Sequence, residues 1–136
     1  MNLIIHDRRE RRSSNGATAL TYQLESTLRQ GKMAAVALTD DSGTLVAFAG
    51  DEAVCTELGA IAPVVAHGWP ADFAPVPVQV ATSSAPPRTI TKEDVSVRAI
   101  ECFGESLFLV SLGGGVARDA LLAHSARGVH RILTAN

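Results

Sequence analysis

Ala17, Leu20, Leu24 and Leu28 recur at intervals of three and four residues. They line one side of a helix, and Gly31 is a good place for it to stop. Ahead of that stripe, Arg8, Arg9, Arg11 and Arg12 are interleaved with Asp7 and Glu10, and Ser13, Ser14, Asn15 and Gly16 follow as capping and breaking residues. This predicts a flexible basic arm over residues 1–15, separate from the domain that begins at residue 16. Residues 33–39 form a compact apolar run, residues 40–43 a polar turn, and residues 44–49 a second run, which together predict a β-hairpin. Asp51 then suits the N-cap of a second helix that carries Val54, Leu58, Ile61 and Val65 on one face. Pro63 cannot donate to the carbonyl of Gly59, so that helix should kink or end early.

The pattern dissolves over residues 69–88, where prolines stand at positions 70, 75, 77, 86 and 87. Val76, Val78 and Val80 alternate, but Pro77 confines any strand there to an edge. Residues 89–91 are long enough for a brief strand. Val95, Val97 and Ala99 alternate and Ile100 and Cys102 continue in the opposite phase, which predicts a long strand with a bulge. Residues 107–112 are almost wholly apolar, as a central strand covered on both faces would be. After Gly113, Gly114 and Gly115, a third helix carries Leu122, Ala126, Val129 and Leu133 on one side. The expected order is α-β-β-α-β-β-β-α: a layered α+β domain over residues 16–136, with a five-stranded antiparallel sheet flanked by three helices.

A chain of 136 residues with 46% hydrophobic and 19% charged positions can bury one core without disulfides or metal. A net charge of −2 counts against nucleic-acid binding, which needs a basic face. No segment reaches the roughly 20 apolar residues of a membrane span, so membrane insertion is not expected. Cys55 and Cys102 stand far apart, outside any C-x-x-C pattern, and fit free thiols in a reducing cytoplasm.

Catalytic and cofactor chemistry is weakly represented. Neither cysteine has a base and orienting partner in its neighbourhood. His6, His67, His124 and His130 lack the spacing of a zinc site. Gly113, Gly114 and Gly115 lie between a strand and a helix, where phosphates can bind, but Val116, Ala117, Arg118 and Asp119 follow in place of G-K-[ST]. The acidic pairs Asp40 and Asp41, Asp51 and Glu52, and Glu93 and Asp94 sit where turns and helix starts favour acids anyway. No catalytic residue, cofactor or metal is expected, and the chain reads as a non-enzyme.

The hairpin of residues 35–49 (A-V-A-L-T-D-D-S-G-T-L-V-A-F-A), running into Gly50, Asp51 and an alanine-rich helix, resembles the Roadblock, or dynein light-chain, family. The block of residues 95–112 (V-S-V-R-A-I-E-C-F-G-E-S-L-F-L-V-S-L) is similar to the last hairpin of that fold, and residues 116–133 to its closing helix. The resemblance spans residues 17–134. It implies a profilin-like layered domain that forms a homodimer by pairing second helices and adjoining strands, here through Val54, Leu58, Ile61, Val65, Thr89, Ile90 and Thr91. It also implies binding to another Roadblock protein or to a small Ras-like GTPase, as in bacterial gliding motility and cell polarity. Two alternatives remain open at this point. One is a direct GTPase regulator, with Arg88 or Arg118 as an arginine finger; the other is a small-molecule or nucleotide sensor.

Overall fold

The computed structural model describes residues 3–68, 71, 76–78 and 88–135, and the side chains of 16–68, 71 and 90–135. Helix α1 (Leu3–Gly31) is followed by β1 (Met33–Asp40), β2 (Leu45–Gly50) and α2 (Glu52–Val65). Two short strands, β3 (Val76–Val78) and β4 (Arg88–Ile90), precede a 3₁₀ turn at Lys92–Asp94, and β5 (Val95–Cys102), β6 (Glu105–Gly113) and α3 (Arg118–Thr134) complete the chain. The main sheet has four strands in the order β2-β1-β6-β5, each antiparallel to its neighbour. β1 and β6 occupy the centre, as the continuous apolar character of residues 107–112 predicts.

Alternation along the central strands sends side chains to opposite faces. Ala35 and Ala37 of β1 and Phe108, Val110 and Leu112 of β6 pack with Val54, Leu58 and Ala62 of α2. Val36, Leu38 and Leu109 point the other way and meet Leu20 and Leu24 of α1 and Leu122 and Val129 of α3. The domain therefore has three layers, with α2 on one face of the sheet and α1 beside α3 on the other. The two outer helices are joined by a buried hydrogen bond of 2.8 Å between the hydroxyls of Thr27 and Ser125.

Three expectations change. The sheet has four strands instead of five: β4 pairs with β3 in a separate ribbon, Val76↔Ile90 to Val78↔Arg88, and the turn at Lys92–Asp94 breaks the path from β4 into β5. The ribbon leaves Pro77 on an edge, as its missing N–H requires. β5 contains no bulge, because its register with β6 is continuous from Val95↔Leu112 to Cys102↔Glu105. Its phase change reflects helices on both sides: Val95 and Val97 serve the α2 side, and Ile100 serves the α1–α3 side. The bulges lie in β1, between Leu38 and Thr39 against β2 and between Met33 and Ala35 against β6. Finally, helical backbone extends back to Leu3 through Ser13, Ser14, Asn15 and Gly16, so α1 is continuous where a break before residue 17 was expected.

Candidate functional site

Helix α2 starts where Asp51 accepts a hydrogen bond from the Val54 N–H at 3.2 Å, the N-cap geometry. It ends at Val65, two residues beyond Pro63, with the Ala66 N–H closing on the Ala62 carbonyl. The helix thus continues past Pro63 to the last of its predicted apolar positions, so the expected early end does not occur. The apolar positions that suggested a partner surface are divided by this geometry. Val54 and Leu58 are buried in the core cluster with the sheet, as is Ile90; Val65 is buried too, while Ile61 is partly buried. Thr91 is partly exposed, and its hydroxyl donates to the Asp94 carboxylate at 2.9 Å. The side chain of Thr89 lies outside the described residues.

The outward side of α2 is a different set. Glu52, Thr56, Ala60 and Val64 recur every four residues and are exposed, Val64 by 56%. An i, i+4 spacing places them on one stripe facing away from the sheet. Sequence periodicity identified the face that holds the helix down, and the free stripe is what that face leaves over. Its signal is Val64, an apolar residue out of phase with the core positions.

The β1–β2 turn is packed against this helix. Asp40 Oδ1 accepts from the N–H of Ser42 at 3.0 Å, the Ser42 hydroxyl at 2.8 Å and the N–H of Thr44 at 2.9 Å. The Ser42 hydroxyl, and after it the Thr44 N–H, hold the Asp40 carboxyl below its ordinary value. The turn sits so close to α2 that a Cβ added at Gly43 would lie 3.1 Å from the Gly59 carbonyl oxygen.

Two of the remaining chemical candidates, Cys55 and Arg118, have structural partners. Cys55 is buried and donates towards the carbonyls of Ala49 (3.4 Å) and Val36 (3.7 Å). Burial pushes its thiol up to about 12, so it is protonated at neutral pH and a poor nucleophile. Cys102 is a second buried free thiol. Arg118 directs its guanidinium to the backbone carbonyl of Glu93, which ties the start of α3 to the turn before β5. Gly113 and Gly114 adopt positive φ of 81° and 98° and serve as the connection between β6 and α3. Among the described residues, no group of three or more His, Cys, Asp or Glu side chains is placed to hold a metal, and no helix is long and apolar enough to cross a membrane.

The deciding comparison is with the gliding protein MglB from Thermus thermophilus, which superposes with a TM-score of 0.50 over 87% of this chain and 90% of that one, at 14% identity. The chain has the MglB fold. Myxococcus xanthus MglB is also similar, with 13% identity over 85% of this chain and 87% of that one and a TM-score of 0.49. No protein-family model and no curated protein matches the sequence. The Roadblock resemblance read from residues 17–134 is therefore visible in three dimensions at an identity where sequence comparison alone finds nothing. Relative to the Roadblock fold expected from that reading, the departures are the four-stranded main sheet and the separate β3–β4 ribbon.

Proposed function

We propose that this chain is a non-enzymatic Roadblock-type adaptor that forms a homodimer through α2 and binds another Roadblock protein or a small Ras-like GTPase. The setting in this reading is bacterial polarity or motility control, in the cytoplasm. The observation that carries it is the outward stripe of α2. Thr56, Ala60 and Val64 present small and apolar side chains on a helix already anchored by its other face. Small residues let a second backbone approach closely, and Val64, with partly exposed Ile61 and Pro63 beside it, supplies apolar surface to bury. The backbone of β4 and Thr91 would continue the contact; the Pro-rich loop at 69–88, also expected to serve as a partner surface, lies mostly outside the described residues.

Light scattering on the purified chain, alone and mixed with MglB-type and Ras-like proteins of the same genome, tests the reading. A dimer that forms a larger complex while GTP hydrolysis stays constant supports the adaptor. Accelerated hydrolysis would replace it with a direct GTPase regulator, and a monomer that binds neither class would overturn both.

A further inference from the structure

A groove of about 530 Å³ lies between the outer edge of β5 and the second half of α3, away from the α2 surface. Ala99, Ile100 and Ala126 give it an apolar lining. β5 ends the sheet, and among the described residues no strand pairs with its free side. Every second residue of such an edge directs its N–H and C=O outward, where they can pair with an added strand.

Charge on the helix side is one-signed. His124, Arg127 and Arg131 line the groove, all exposed, at the i, i+3 and i+7 positions of α3, and exposed His130 stands beside them. Among the described lining residues, the only carboxylate is that of Glu101, which accepts a 2.6 Å hydrogen bond from the Ser106 hydroxyl on the neighbouring strand. Two arginines against one glutamate leave the groove positive by one charge, with histidine neutral, on a chain whose net charge is −2. Just beyond Cys102, the two-residue turn of the β5–β6 hairpin exposes Phe103 by 81% with a φ of 53°. A bulky aromatic residue is poorly suited to that backbone conformation, and asparagine is the residue that such turns favour.

We propose that this groove is a docking site for an extended, acidic peptide segment of a partner protein, which adds to the β5 edge as a strand. Its carboxylates face Arg127 and Arg131, and an apolar side chain at one end meets Phe103. The strand edge is what selects a peptide. A phosphodiester strand or a lipid headgroup would satisfy the arginines but leave the row of backbone groups unpaired, whereas a peptide satisfies both. The site is separate from the proposed dimer face, so either can fail alone.

The probe is a fluorescein-labelled peptide of alternating Glu and Val, as long as the eight residues of β5, followed by fluorescence anisotropy on the intact chain. The Glu/Val peptide is expected to bind about tenfold more tightly than a Lys/Val peptide of the same length, and to weaken as salt is raised. Arg127→Glu with Arg131→Glu should reverse the preference; both side chains are exposed, and a thermal melt verifies folding. The milder Arg127→Gln with Arg131→Gln provides the same comparison should the charge-reversed protein misfold. N-methylating alternate peptide nitrogens should abolish binding, and Phe103→Asn should weaken it about threefold or more, a loss of interface packing. Equal binding of the two peptides, indifference to the arginine changes, or full binding by the N-methylated peptide would each overturn the proposal. So would tighter binding to phosphatidylglycerol vesicles or to single-stranded DNA.

Discussion

Gly50 combines a φ of +103° with a position where an added Cβ would lie 2.7 Å from the Ala34 carbonyl oxygen. It closes β2 directly opposite Ala35 and delivers the chain to the Asp51 cap of α2. Gly50→Ala meets both backbone strain and a contact with main chain, which cannot rotate away. We expect it to cost about 2–3 kcal/mol, measured by urea denaturation. Asp40 acts at the other end of the same hairpin. Its folded-state pKa lies below the ordinary value of 3.8, so its stabilising contribution is complete above the unfolded value and lost as the pH falls through the folded one. The stability advantage of the wild type over Asp40→Asn should therefore shrink as the pH is lowered through and below 3.8, and a constant difference would show that the carboxylate charge is immaterial. Both residues could be picked out in the sequence as turn-formers. Their specific jobs could not, because the close approach of β1 to Gly50 and the convergence of Ser42 and Thr44 on one oxygen appear only once the register is fixed.

At the scale of elements, periodicity located three helices and the two hairpins well, since each buries an apolar stripe or alternates across a half-covered surface. It failed where a local signal had more than one origin. The double phase in β5 comes from two-sided burial, and the polar cluster at residues 13–16 sits within α1 instead of ending it. The pairing of β4 with β3 depended on a partner strand interrupted by Pro77, which propensity alone undervalues. The α1–α3 contact illustrates a feature with no sequence signal: Thr27 and Ser125 are 98 positions apart, yet share one buried hydrogen bond, and Thr27 also donates to the Gln23 carbonyl at 2.9 Å. Thr27→Val leaves the Ser125 hydroxyl without that partner in a buried site. A loss of about 1–3 kcal/mol is expected in thermal or urea unfolding. Adding Ser125→Ala should recover part of it, because removing both partners avoids the orphaned group. If the double variant were less stable than Thr27→Val by the full cost of a second independent loss, the two hydroxyls would not be coupled.

At the scale of the whole molecule, the candidate site was half legible. The apolar periodicity of α2 marked the face that packs on the sheet, because core packing and partner binding both draw on apolar residues, and only the sheet's position separates that face from the outward stripe proposed as the contact. That separation makes the two faces of α2 a test. Leu58 is fully buried in the cluster between α2 and the sheet, and Leu58→Ala removes contacts that no partner supplies. It should destabilise the folded chain by about 2–5 kcal/mol in unfolding experiments. Val64→Asp changes only the outward stripe, so the fold of one subunit should shift by no more than about 0.5 kcal/mol when compared at concentrations low enough to dissociate a dimer. A charge facing its own copy across a two-fold contact would meet an equal charge, so the same substitution should move the dimer to monomer in sedimentation or light scattering. The apparent stability of the wild type should then rise with protein concentration, and that of Val64→Asp should not, because only a species that associates in the folded state gains from mass action. Concentration-independent unfolding of both proteins, with Val64→Asp and wild type at the same mass, would remove α2 as the contact and return the search to the β5–α3 groove.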